Sequence, residues 1–357
     1  MSEFTNTRAT RADIHWQLLT SVSAVALLAS ICITGEARAA DSDHPLVWIE
    51  LDGQFAQEEN SQEVFLPPFM FASPFDGASH AGVEKGSPAV WDRSAKVAFQ
   101  PEGSDWVVSL GVRYGKSSRG EIREGHPTTA KITKYNGHYS AYQHFAGQNS
   151  DSHIILDFQA GKDFGLGRIG SGGSSLFSAG IRFAQFNSRS HAAIKSQPTN
   201  LPTGSANVNK FYASFSAKRK FTGVGPSLSW DASANLTGNS SAGSITFDWG
   251  LNGAVLFGRQ RTRESHQTTE VHFNHFYITQ MPYQHSASPP EREKNVVVPN
   301  LGGFAGVSWR YPIAKVSVGY RADMFFGAID GGVDVAHRES RGFYGPFASI
   351  SVGLGGP

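Results

Sequence analysis

The chain has 357 residues, with 31 Lys and Arg against 30 Asp and Glu, one cysteine, 39 glycines and 12% aromatic residues. Near-balanced charge removes the electrostatic case for nucleic-acid binding. A lone cysteine removes a disulfide framework and a thiolate metal site. What remains is a large, slightly polar, aromatic-rich domain. Both a membrane β-barrel with a wet interior and a soluble β-sandwich share that composition.

Residues 1–39 read as an export signal. Arg8 and Arg11 give a positive start, residues 18–33 (LLTSVSAVALLASICI) form an apolar run, and Ala37-Arg38-Ala39 supplies a small-x-small cleavage site. A cut after Ala39 makes residues 40–357 one domain and removes Cys32, leaving a mature chain without cysteine. The same run is close to the minimum length of a spanning helix. Glu36 and the small residues beyond it favour cleavage over anchoring.

From there on the dominant signal is a period of two. Residues 46–55 set Val47, Ile49, Leu51 and Phe55 against Glu50, Asp52 and Gln54; residues 95–99 form a shorter member. Residues 106–115 set Trp106, Val108, Leu110, Val112 and Tyr114 against Ser109 and Arg113. Residues 154–160 oppose Leu156 and Phe158 to Asp157; residues 177–183 oppose Ile181 and Phe183 to Arg182. Residues 226–236 put Leu228, Trp230, Ala232, Ala234 and Leu236 opposite Ser229, Asp231 and Asn235. Residues 245–257 (ITFDWGLNGAVLF) keep the pattern longest, with Asp248 on the polar face. Residues 301–311 place Arg310, residues 314–326 place Lys315, Arg321 and Asp323, and residues 344–354 place Ser349 and Ser351 on that face. Ordinary strands run about 5–6 residues, whereas a tilted membrane-crossing strand needs about 9–11. No long helical period follows residue 39, so helices are expected to be minor.

The connections alternate in length. Those at 101–105, 162–173, 237–242 and Pro312 are short, and those at 56–93, 116–150, 187–225, 259–295 and 327–341 are long and polar. Short periplasmic turns and long extracellular loops are the outer-membrane arrangement. The reading is an all-β antiparallel barrel of about ten strands. Residues 211–217 are assigned to a loop excursion, although they alternate and offer another strand. Twelve strands follow if 268–278 or 64–71 joins the wall as well. A soluble sandwich would alternate too, but Trp106, Trp230, Trp249, Trp309, Tyr114, Tyr311 and Tyr344 fall on the apolar face, several near strand ends where membrane girdles form.

Segments 179–186 (AGIRFAQF), 225–236 (GPSLSWDASANL), 253–259 (GAVLFGR) and 318–326 (VGYRADMFF), in that order, resemble the Legionella-type major outer membrane protein family. The similarity runs from about Ser174 to the C-terminus. It implies a bacterial outer-membrane barrel, with the pore activity attributed to the family's best-known members. The chain ends Leu354-Gly355-Gly356-Pro357, without the terminal aromatic usual in barrel-assembly signals.

Nothing in the sequence singles out a catalytic set or a cofactor. His272 and His275, the closest histidine pair, would point to opposite strand faces and chelate poorly. Gly165-x-Gly167-x-x-Gly170 lacks the following helix of a dinucleotide site. The candidate functional set is the charge on the polar face: Glu50, Asp52, Arg113, Asp157, Arg182, Asp231, Asp248, Arg310, Lys315, Arg321 and Asp323. Two outcomes stay open: a wet, weakly selective pore, or ion pairs that close a narrow lumen. The expected function is a structural or porin-like outer-membrane protein that passes small polar solutes and is not an enzyme. The alternatives are a surface interaction protein that uses its long loops and, behind it, a barrel enzyme. The expected partners are outer-membrane lipid, the barrel-insertion machinery and small polar solutes.

Overall fold

Alternation dictates the architecture. A strand that is apolar on one face and polar on the other must find lipid or a core for the first, and a sheet that curls until its edges meet leaves no unpaired backbone. The computed structural model describes residues 47–60, 89–101, 104–117, 120–125, 133–135, 138–140, 144–163, 174–196, 207–239, 243–274, 281–287, 290–331 and 336–354. The export segment at 1–39 lies outside them.

Every described element is a strand: β1 (Val47–Asn60), β2 (Ala89–Phe99), β3 (Trp106–Ser117), β4 (Gly120–Gly125), β5 (Thr133–Tyr135), β6 (His138–Ser140), β7 (His144–Asp163), β8 (Ser174–Ser196), β9 (Asn207–Asn239), β10 (Gly243–Asn274), β11 (Met281–Ala287), β12 (Arg292–Arg310), β13 (Ala314–Asp330) and β14 (Arg338–Leu354). Ten of them close a ring in the order β1-β2-β3-β7-β8-β9-β10-β12-β13-β14, and β14 returns to β1 from Val47↔Leu354 upward. All ten ring contacts are antiparallel. The fold is a closed ten-stranded barrel.

The four short strands lie outside the ring path. β4 pairs with the upper part of β7, β11 with the upper part of β10, and β5 with β6, which runs parallel to the start of β9. The twelve-strand option does not hold. Of residues 268–278, those described (268–274) continue β10, and residues 64–71 lie outside the described ones.

The long connections are shorter than the sequence suggested, because the wall keeps going. Residues 211–217 are no loop excursion but part of β9, laddered on both sides to β8 and β10. β9 and β10 reach 33 and 32 residues. Beyond the bilayer no apolar outward face is needed. The apolar outward face therefore fades there while the hydrogen-bonded ladder persists.

The outer face carries the apolar belt. Leu228, Phe257 and Trp309 are 67%, 58% and 54% exposed, and Trp106 and Tyr311 join Trp309 at the end that carries the short turns. That end faces the periplasm in barrels of this type. Ala232 and Ala234 point outward as expected but are buried, lying opposite Trp249 and Phe247 in register. Small side chains leave room for the neighbouring aromatic rings, Trp230 and Trp249 edge-on at 6.5 Å and Phe247 and Trp249 stacked at 5.6 Å.

Candidate functional site

The inward face is charged, and ten strands enclose a narrow space. Inward groups can therefore reach one another across the lumen. Nearest the periplasm, Lys315 binds Asp248 at 2.6 Å, and Thr246 donates a hydrogen bond to the same carboxylate at 3.0 Å. Ser351 donates to Glu50 at 3.1 Å. Lys96 of β2 comes within 3.9 Å of Asp231 of β9, four places away around the ring.

A second layer lies above. Arg321 pairs with Asp52 and sits over the Phe347 ring at 4.7 Å. Arg113 of β3 reaches Asp323 of β13 at 2.6 Å, again four places around the ring. Arg182 makes two bonds to Asp157, at 2.6 and 3.0 Å, and donates further to Asn252 of β10 and Asn300 of β12, two and three places around the ring. A guanidinium suits this role, because its planar fork can hold a carboxylate on one side and amides on the other.

The third layer is apolar. Phe186 of β8 meets Phe325 of β13 at 4.8 Å and Phe343 of β14, directly opposite in the ring, at 5.9 Å. Phe221 stacks on Phe186 at 5.8 Å. All four rings are 3% exposed or less, and Ile155, Leu256, Val298 and Ile329 fill in around them. The His153–Asp92 pair, 3.2 Å apart, lies fully buried here, with the imidazole 4.1 Å from the Phe343 ring. These contacts join opposite walls of the barrel at this height.

A fourth layer caps the mouth. The β13–β14 ladder is irregular between Phe325 and Ile329, and Gly327 adopts φ +65° there. The hairpin bends inward at that point. Gln260 donates to the Gly327 carbonyl at 2.7 Å, and Arg219 to the Gly331 carbonyl at 3.1 Å. Ala328 and Ile329 are buried as a result. Arg292 fixes the base of the cap through Glu264 and through Asp330 at 3.1 Å. Partial burial works against the Arg292 charge, but the hydrogen bonds it donates to Asp330 and Glu264 outweigh it and hold the guanidinium above its ordinary range.

All eleven residues singled out in the sequence lie on the inward side. Glu50, Asp52, Arg113, Asp157, Arg182, Asp231, Asp248, Lys315, Arg321 and Asp323 are joined in the pairs above. Arg310 faces inward at the periplasmic rim, opposite Lys315 in register, and has no carboxylate partner among the described residues. Sequence reasoning missed the aromatic layer. The signal was present: Phe186 shares the phase of Arg182, Phe325 that of Arg321 and Asp323, and Phe343 that of Ser349 and Ser351. Large rings in the polar phase of a barrel strand point into the lumen. His275 lies outside the described residues, as does the side chain of His272.

A closed antiparallel ring with an apolar, aromatic-edged outer belt and a charged interior defines a β-barrel membrane protein of the outer-membrane type. Within that class, residues 102–353 match the family model of the Legionella pneumophila major outer membrane protein precursor. The chain belongs to that family, and the match begins well before Ser174, where the sequence resemblance was first legible. No curated protein matches the chain. Among solved structures, the outer membrane protease OmpT from Escherichia coli is 9% identical, covering 86% of this chain and 96% of its own, with a TM-score of 0.35. The transport unit of the autotransporter AIDA-I from Escherichia coli is 9% identical, with 91% and 94% covered and a TM-score of 0.33. The translocator domain of the autotransporter NalP from Neisseria meningitidis is 10% identical, with 93% and 97% covered and a TM-score of 0.31. Likeness at this level says nothing of catalysis or transport by this chain.

Proposed function

We propose that this outer-membrane barrel is a structural protein with a closed lumen, and that small polar solutes pass only when the aromatic layer and the hairpin cap give way. One observation carries the reading: Phe186 meets Phe343 across the full width of the ring. A dry apolar layer is a barrier to ions in its own right, since crossing it strips their water. The ion pairs beneath it favour the same state. Each cation of those pairs already holds a carboxylate and has little charge to offer a passing anion, and Arg310 at the rim is the exception. The reading includes no catalysis, because the buried His153–Asp92 pair lies beneath Phe343 and away from solvent. Assembly in the membrane by the barrel-insertion machinery is part of the same proposal.

Planar-bilayer recording tests it. The intact protein is expected to be silent, and Phe186→Ala combined with Phe343→Ala and a hairpin shortened by residues 328–338 is expected to conduct. Steady channels from the intact protein at low voltage would overturn the closed lumen.

A second reading, surface interaction, draws support from β9 and β10, which rise as a paired wall well past the apolar belt. Trimming that wall above Arg263 while keeping a folded barrel is expected to abolish binding to a host or partner surface. Undiminished binding after trimming would dismiss it.

A further inference from the structure

We propose that the outer wall formed by β8, β9, β10 and β12 binds the phosphorylated headgroup of an outer-leaflet glycolipid. The ladders place the outward residues of these strands in rows. Phe183, Val224, Phe257 and Val297 form the last apolar row. The next row up holds Gln185, Thr222, Arg259 and Asn295, and the one above it Asn187, Lys220, Arg261 and Glu293. The third is Arg189, Lys218 and Arg263, side by side on three neighbouring strands. These rows hold six cations, all exposed, against one carboxylate. Glu293 pairs with Arg259 at 2.5 Å and lies 3.5 Å from Arg261. Arg189, Lys218, Lys220 and Arg263 have no carboxylate partner among the described residues.

Like charges directly opposite on paired strands repel. Lys218 between Arg189 and Arg263, and Lys220 beside Arg261, are therefore unfavourable arrangements until an anion lies over them. The anion available at this height is set by the belt below. Alternate residues rise about 7 Å along a strand, or about 5 Å along the membrane normal at a tilt near 40°. The cations therefore begin about 5 Å and end about 15 Å above the last apolar row. A phospholipid headgroup layer is only about 5–8 Å thick. A tall headgroup with several phosphates spans the cationic rows, whereas a thin one meets only the lowest. At the foot of the patch, a groove lined by Thr222, Phe257, Arg259, Asn295, Val297 and Arg338 opens where β12 parts from β13. It sets apolar side chains beside guanidinium groups, as the junction of acyl chain and phosphorylated sugar requires.

The test uses the full-length folded protein in an uncharged detergent, titrated with rough lipopolysaccharide. Its arms are the same lipopolysaccharide stripped of phosphate, phosphatidylglycerol vesicles, inorganic phosphate and polyglutamate. A cation near an anionic lipid surface contributes about fivefold in affinity, so the combined variant Arg189→Gln, Lys218→Gln, Arg263→Gln is expected to lose on the order of 100-fold. Lys116→Gln, on another wall, is expected to bind like the unaltered protein. Phosphate removal from the lipid is expected to cost as much as the triple variant. Heat-modifiable migration reports folding. If the triple variant does not fold, Lys218→Gln and Arg263→Gln singly are expected to lose about fivefold each. Undiminished binding by the variants, or by lipid without phosphate, would overturn the site. Equal binding of phosphatidylglycerol would reduce it to general anionic-lipid attraction, equal binding of inorganic phosphate to a free-phosphate site, and equal binding of polyglutamate to an acidic-protein surface. Each of those three outcomes defeats the glycolipid assignment.

Discussion

Arg113 and Asp323 show what one residue does in this lumen. Their side chains are 11% and 2% exposed and meet at 2.6 Å across the barrel. Arg113 bonds Asp323 Oδ2, and Oδ1 has no hydrogen-bond partner among the described residues. Removing one member of a buried pair strands the other charge, so Arg113→Ala is expected to cost about 3–5 kcal/mol. Replacing both, as Arg113→Met with Asp323→Leu, is expected to recover most of that loss. Urea unfolding of the barrel in vesicles measures both, and an unrecovered double variant would show that the pair also aligns the walls. Gly302 belongs to the same site, because a Cβ there would run into the Asp323 carboxylate and Asn252. Gly302→Ala is therefore expected to destabilise by about 1–3 kcal/mol through overpacking, read by the same unfolding experiment. The charged members of this network were legible in the sequence as polar-phase residues. Their pairing was not, since Arg113 and Asp323 are 210 positions apart.

At the scale of elements, the β13–β14 hairpin bends inward at the mouth. Gly327 turns it inward at φ +65°, and a side chain there would meet only ordinary contacts with Arg338. Backbone strain is then the whole penalty. Gly327→Val is expected to lose about 1–2 kcal/mol, and Gly327→Asn less, because asparagine tolerates that conformation. Hydrogen exchange at residues 328–331 reads the bend directly. Equal protection in all three proteins would mean that Gln260 and Arg219 hold the cap without help from the glycine. Sequence reading placed this stretch in a long polar loop, as composition suggests. Only the inward contacts of Ala328 and Ile329 make it a cap.

At the scale of the whole molecule, closure is the stabilising act. β1 and β14 join the two ends of the described chain in one ladder, and each would otherwise present a bare edge to lipid, where unpaired backbone groups are costly. Removing residues 346–357 deletes the membrane part of β14 and opens that seam. The expected result is loss of the heat-modifiable band on a gel and loss of folded protein from the outer membrane. A truncated protein that still migrates as a folded barrel would mean that β13 can close directly on β1.

The amino-acid sequence alone determined the class of fold and the ten-strand count as the leading option, and it marked the polar-phase charges from Glu50 to Asp323. All three follow from a local period of two, in which each residue's face is fixed by its immediate neighbours. Tertiary structure decided which inward groups meet. Whether inward charges line water or bind one another depends on the width of the closed ring, which is a property of all ten strands together. The same holds for Phe186, Phe325 and Phe343. Phe186 and Phe325 are each the one ring in the polar phase of their strands, Phe343 shares that phase of β14 with Phe347, and only closure of the barrel brings them into contact. The height of the outer wall was hidden for a related reason. Above the belt β9 and β10 are held by their ladder without an apolar outward face, and the alternation of residues 211–217 reflects inward positions such as Phe215 and Ala217.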